Sequence, residues 1–459
     1  MLPKHALYQT ELYPGKERNH YFTPGTGKKQ AKTAKKRRKN ARSLAFSSLA
    51  VYCLRLADRK RSRPIPYTQY DHLIPPPEMK NLDPKLPPTP CFVVDLAALR
   101  RNLDILNDVR RRAGVKILLA QKAFSMFAVY PLIRRVLDGT CASSPHEARL
   151  GHEEFGAETH AFAAAYSEAD LRELLRHCTT IVFNSFSQWR RFRPITAEAA
   201  GRVRFGLRVN PEHGEAVREI YSPCAPKSRL GIKRALFAGE SLDGISGLHF
   251  HTLCEQDSDA LERTMAAFEE RFGDLLPSMQ WVNFGGGHHI TRPGYDLERL
   301  VRILTEFRAR HPHLTVYLEP GEAVVLNAGS LFGTVLDVVH NDCDIAILDV
   351  SAEAHMPDVI EMPYTPPVNG AGEPGEFPHE YRLAGHSCLA GDVIGDYSFP
   401  SPLKVGDRVE FLDMALYTMV KTNTFNGLAL PSIATFDPDT GEFRLVKSFG
   451  YEDFKNRLS

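Results

Sequence analysis

The 459-residue chain is short of several features, and each shortage closes off a class of function. Its eight cysteines, at 53, 91, 141, 178, 224, 254, 343 and 388, form no CxxC pair. They are too sparse for a disulfide scaffold and lack zinc-knuckle spacing, so a reducing, cytoplasmic setting and no structural metal are expected. No apolar run reaches the ~18 residues that a membrane-spanning helix needs. No GxGxxG follows a strand, so a dinucleotide is not indicated. A basic run followed by apolar Ser43–Leu56 has the order of a signal peptide, but it lies too far from the start and lacks a small-residue cleavage site.

What is present is unevenly spread. The formal net charge of +2 hides a split. Met1 to Pro64 carries 17 basic and 3 acidic residues, or +14, and the remainder has 40 against 52, or −12. The basic run 28–42 (KKQAKTAKKRRKNAR) fits a tail for nucleic acid or an acidic membrane, or else a disordered extension or unused upstream start. Residues 64–90, with PIP, PPP and LPPTP, read as an extended linker. With 43% hydrophobic residues, the rest can bury a sizeable core.

Past Pro90, apolar strand-like runs alternate with helical patterns. The runs are Cys91–Leu96, Val115–Ala120, Thr159–Ala165, Thr179–Asn184, Val203–Asn210, Ile245–His251, Gln280–Phe284 and Leu314–Leu318. Helical spacing appears over Ala97–Arg112, Glu168–Cys178, Asp257–Leu276 and Tyr295–His311. Continuous apolar strands separated by amphipathic helices imply parallel βα units. The pattern predicts a (β/α)8 barrel over 88–325, with a doubly wound sheet as runner-up. From 326 to 459 short strands such as Tyr381–Gly385, Arg408–Leu412 and Glu442–Val446 predict a C-terminal, mostly antiparallel β domain, which can also recruit the strand near 88–96. Residues 1–87 are set apart as the basic extension and linker.

Barrel chemistry sits where strands end. Lys122 follows the strand VKILLA, and a desolvated neutral amine there can condense with a carbonyl; a lysine that only snorkels to the rim is the plain alternative. His251 ends GLHFH, with His249 on the same face; a packed histidine is the commoner case, and no third metal ligand follows at fixed spacing. Gly285, Gly286 and Gly287 in NFGGGHH offer backbone N–H groups to a phosphate, or merely a tight turn. Glu319 in YLEPGEA can pair with a proton-bearing ring nitrogen or be an ordinary loop acid. Cys388 in GHSCLAGD is a reactive thiol or, by default, a buried cysteine.

The order of these signals resembles the fold-type III pyridoxal-phosphate decarboxylases, which join an alanine-racemase-type barrel to a β domain. LLAQKAFS, VFNSFSQW, LRVNPEH, YSPCAPKSRLGI, NFGGGHHIT, LEPGEA, DVSAEAHMPDVIEMPY and GHSCLAGD narrow the resemblance to its carboxynorspermidine/carboxyspermidine decarboxylase branch. It runs from about Pro88 to the C terminus and leaves the basic extension uncovered.

The resemblance implies roles. Lys122 would carry pyridoxal 5'-phosphate, His251 stack on its ring, the three glycines and Tyr417 hold its phosphate, and Glu319 face its ring nitrogen. Cys388 would protonate the carbon that loses carbon dioxide. Cys388 and Tyr417 would act in a partner subunit's site, making a homodimer obligatory. One position departs from the wider group. Ornithine and diaminopimelate decarboxylases carry an arginine three residues after the glutamate of EPG, and here Glu322 stands there. An acid repels a phosphate, so Glu322 is expected to face a cationic substrate, as is Asp358, whose other reading is a helix cap. The implied reaction is decarboxylation of carboxynorspermidine or carboxyspermidine in polyamine biosynthesis. The alternatives are another amino-acid decarboxylase of this scaffold (diaminopimelate, ornithine or arginine) and a non-catalytic cofactor-binding relative. The partner is a small molecule rather than a membrane, with nucleic acid considered only for the extension.

Overall fold

The computed structural model describes Met79, 81–215 and 222–459. The basic extension and most of the linker lie outside the described residues. Among the described residues no helix is long and apolar enough to cross a membrane.

The chain enters along β1 (Cys91–Asp95), whose five residues are all buried. Asp95 then caps α1 (Leu96–Ala113) by accepting Ala98 N at 2.9 Å, and Gly114 ends the helix at φ 63°. Leu99, Leu103 and Leu106 turn one face of α1 into the core.

Eight parallel strands follow: β2 (Lys116–Ala120), β3 (Gly139–Ala142), β4 (Glu158–Phe162), β5 (Thr180–Phe183), β6 (Arg204–Asn210), β7 (Gly247–His249), β8 (Trp281–Asn283) and β9 (Thr315–Leu318). They pair in the order β5-β4-β3-β2-β9-β8-β7-β6, and a further β5–β6 pairing closes the ring. Closure excludes the doubly wound sheet. Helices such as Glu168–His177, Phe186–Ala197, Ser258–Phe272 and Leu297–Arg310 lie between the strands. Inside, Leu118, Val182, Trp281 and Tyr317 pack together. The Trp281 ring needs Gly247 beside it, because a Cβ there would stand 2.0 Å from the ring.

The other layer is a mixed sheet. It comprises β10 (Gly329–Asn341), β11 (Cys343–Leu348), β12 (His379–Ala384), β13 (Val393–Phe399), β14 (Arg408–Phe411), β15 (Ser432–Asp437) and β16 (Glu442–Lys447), together with β1. The path is β13-β12-β11-β10-β1-β15-β16, with β14 on β10. Most pairs are antiparallel; β1–β15 and β11–β12 are parallel. The first strand-like run of the sequence therefore belongs to the sheet, and the eighth barrel strand is the short β3. Its four residues, GTCA, carry too little apolar signal to stand out. Barrel and sheet form one compact unit.

Candidate active site

A cavity of about 920 Å³ opens over the C-terminal ends of the barrel strands. Lys122, His251, Gly286, Gly287, Glu319, Glu322, Asp358 and Tyr417 all line it. Six come from the barrel turns or the short segment after β9, while Asp358 and Tyr417 begin the short helices Asp358–Glu361 and Tyr417–Val420, which lie between strands of the sheet. Tyr417, expected to reach into a second subunit, thus lines the cavity of its own chain.

Glu319 follows the last residue of β9. Asn283 Nδ2 donates to its Oε1 at 2.7 Å, and His249 Nε2 lies 3.3 Å from its Oε2. Burial pushes the carboxyl up, but His249, His160 and the Asn283 hydrogen bond outweigh it and hold the pKa down at about 2. The acid is ionised at neutral pH. His251 accepts Gly286 N at Nδ1, 3.0 Å away, and enclosure together with the Lys122 charge keeps the ring neutral. Its backbone carbonyl accepts Arg208 NH2 at 3.0 Å, while the Arg208 guanidinium sits 4.4 Å over the Phe162 ring.

The glycine loop lies against its neighbours with no room for side chains. A Cβ at Gly286 would stand 2.3 Å from Glu319 O. At Gly287, with φ +83°, it would stand 2.0 Å from Leu253 O. Lys122 Nζ has no ion-pair or hydrogen-bond partner among the described residues. These features fit pyridoxal phosphate: a free amine, a loop that could take a phosphate and an ionised carboxylate that could hold a proton on a ring nitrogen, all on one cavity.

Two acids line the same space. Glu322 Oε2 lies 3.5 Å from His289 Nε2, a histidine only 4% exposed whose ring nitrogens make no hydrogen bond. Desolvation lowers His289, but Glu322 and its acidic neighbours win and raise its pKa. Asp358 begins the helix Asp358–Glu361, yet its side chain caps nothing. Its Oδ2 accepts Tyr364 OH at 2.8 Å and Thr418 Oγ1 at 2.9 Å, and buried Oδ1 is left without a hydrogen bond. Burial raises the Asp358 pKa against those two donors.

Cys388 is the exception. It is exposed rather than buried, and it is not part of the cavity wall. Its N and Sγ both donate to Asn426 Oδ1, at 2.8 and 2.9 Å. Arg208, Asn283, His289, Thr418 and Asn426 carry no signal of their own in the sequence, since each is defined by a partner distant along the chain, and Tyr364 is defined by a hydrogen bond to Asp358 six positions away. His249 stands out in the sequence only as a neighbour of His251.

A family model described as pyridoxal-dependent decarboxylase, C-terminal sheet domain, matches residues 53–415. The chain is 46% identical over 372 residues to carboxyaminopropylagmatine decarboxylase of Synechocystis, covering 81% of this chain and 95% of that one. It is 40% identical over 380 residues to carboxynorspermidine/carboxyspermidine decarboxylase of Campylobacter jejuni, covering 80% and 98%. The crystal structure of carboxynorspermidine decarboxylase complexed with norspermidine, from Campylobacter jejuni, superposes with a TM-score of 0.74 at 39% identity, over 80% of this chain and 99% of that one. Diaminopimelate decarboxylase from Helicobacter pylori shares the fold at 15% identity and a TM-score of 0.69. The chain belongs to the pyridoxal-dependent decarboxylase family.

Proposed function

We propose that this pyridoxal-dependent decarboxylase acts on a carboxylated polyamine, turning carboxynorspermidine or carboxyspermidine into norspermidine or spermidine. The supporting observation is the acceptor pair Glu322 and Asp358 in the cavity that also holds Lys122 and Glu319. An amino-acid substrate with one distal cation needs one such acceptor. A polyamine with several ammonium groups uses more, and a body at −12 concentrates it.

Pyridoxal phosphate, when bound, supplies an electron sink for the pair left on the substrate carbon as carbon dioxide departs. Lys122 would hold its aldehyde carbon, the Gly285–Gly287 loop and Tyr417 its phosphate, and His251 its ring face. Glu319 stays ionised and would keep a proton on the cofactor's ring nitrogen. Glu322 and Asp358 bind substrate ammonium groups and set which end points inward. Cys388 stores a proton at Sγ and gives it to the carbon. Because Cys388 lies off its own cavity, that transfer calls for Cys388 of the partner subunit and a homodimer with shared sites. Methylene length alone gives weak discrimination, about 1–3 kcal/mol, so both substrates are expected to react.

The Synechocystis relative supports a second reading, in which the distal end is a guanidinium. The geometry of Asp358 favours ammonium. A guanidinium fork takes both oxygens of a carboxylate, and Oδ2 is already held by Tyr364 and Thr418. Offering the purified enzyme carboxyspermidine, carboxynorspermidine, carboxyaminopropylagmatine and diaminopimelate side by side, with products read by mass spectrometry, separates the readings. Norspermidine and spermidine are the expected main products. Aminopropylagmatine as main product would install the second reading, and lysine would overturn both.

A further inference from the structure

A thiol on an exposed loop of small residues rotates among three staggered positions, and an acid that delivers a proton to one carbon needs one of them. Two side chains restrict Cys388. Asp392, only 3% exposed, ties the loop to the segment beside it. Its Oδ2 accepts Ser387 N at 3.1 Å and Ser351 Oγ at 2.9 Å, and its Oδ1 accepts Ala352 N at 2.7 Å. That fixes the loop but leaves the thiol free to turn.

Asn426 restrains the thiol itself. One oxygen, Oδ1, accepts both Cys388 N and Cys388 Sγ, so backbone and side chain are anchored at a common point. A backbone N–H can only donate, which identifies the atom facing it as the amide oxygen and not the nitrogen. Asn426 reaches this position from a left-handed backbone, φ 56° and ψ 11°, a conformation that asparagine tolerates better than most residues. The turn is braced from behind. Arg457 NH1 donates to Thr424 Oγ1 at 2.7 Å, and Gly427 lies against the Phe454 ring of the C-terminal helix.

We propose that Asn426 is a positioning residue: by accepting the Cys388 S–H it fixes Sγ in a single rotamer, so that the thiol only has to turn its proton from the amide oxygen to the substrate carbon at transfer. The inference rests on the reading of Cys388 as the reprotonating acid. A proton from Sγ to the substrate carbon yields the amine, and solvent restores the thiol. A misdirected thiol lets the proton arrive on the cofactor's carbon instead. The amino group then stays with the cofactor, and water releases the substrate as an aldehyde.

The test uses full-length holoenzyme and the variants Asn426→Gly, Asn426→Asp and Cys388→Ala. Asn426→Gly keeps the left-handed turn and removes the acceptor, whereas Asn426→Asp keeps an acceptor. Two quantities are read: the amine-to-aldehyde ratio of product, and the rate at which iodoacetamide labels Cys388 without substrate, followed on its peptide. Losing a hydrogen bond of about 1 kcal/mol frees the thiol by roughly fivefold. Asn426→Gly should therefore label about fivefold faster and divert a measurable share of turnovers to aldehyde, with Asn426→Asp restoring the wild-type ratio. If Asn426→Gly leaves both quantities unchanged while Cys388→Ala diverts product, Asn426 positions nothing. If Cys388→Ala leaves the ratio unchanged, the assignment of Cys388 as the acid falls, and the inference with it.

Discussion

The two ends of the barrel treat charge in opposite ways. At the N-terminal end Glu158 gathers Lys116, Arg204 NH2 at 2.9 Å, Tyr317 OH at 3.0 Å and His160 Nε2 at 3.2 Å. Burial opposes the Glu158 charge, but His160 and Lys116 win and hold its carboxyl well below the usual range. Each of these groups pairs with Glu158, and among their buried side-chain atoms only His160 Nδ1 is left without a hydrogen bond. At the C-terminal end Lys122 and the buried Oδ1 of Asp358 lack partners, and His249 and His289 have ring nitrogens without hydrogen bonds. One ring of strands thus keeps a saturated end for stability and an unsaturated end for ligands.

The comparison breaks most visibly at Lys122. Lys122→Ala should lower kcat/KM by about 10³–10⁴ while leaving the thermal midpoint in place, because the amine has no protein partner to lose. Glu322→Gln should raise KM for the polyamine by about 10–150-fold with little change in kcat, measured by steady-state kinetics, as befits a charged hydrogen bond of about 1.5–3 kcal/mol. Asp358→Asn should act in the same direction and also simplify the pH profile. The raised pKa means the wild-type acid protonates at a higher pH than an ordinary aspartate, so KM should climb as pH falls through it, and the variant should lose that rise.

The smallest effect on turnover belongs to the saturated end. Glu158→Gln should leave kcat/KM within about twofold yet cost about 2–3 kcal/mol of stability; the buried-pair range is discounted because Lys116 and Arg204 are partly exposed. Its folded pKa is depressed, so its contribution is full above the unfolded value and fades as pH falls below it. Acid unfolding of the variant should therefore show less dependence on pH than that of the wild type.

The barrel and the strand ends that line the cavity were legible because buried parallel strands are apolar throughout and the residues that end them are adjacent in sequence. LLAQK, GLHFH, NFGGG and YLEPGE each carry both strand and site. The strand GTCA was not legible, since four small residues have no pattern to detect. That the sheet can recruit the strand near 88–96 was legible, but its partner Ser432–Asp437 was not, because the pairing joins residues more than three hundred positions apart. The same reason hid Thr418 on Asp358 and Asn426 on Cys388, which are side-chain partners 60 and 38 positions away. Tyr417, expected from the resemblance to serve a partner's site, lines the cavity of its own chain.

The central claim is that chemistry occurs at the unsaturated end, on Lys122. Borohydride reduction of the purified holoenzyme, followed by peptide mapping, tests it directly. The phosphopyridoxyl label should appear on the peptide containing Lys122 and be absent in Lys122→Ala. A label on the paired Lys116 or on another lysine, or no label at all, would contradict it.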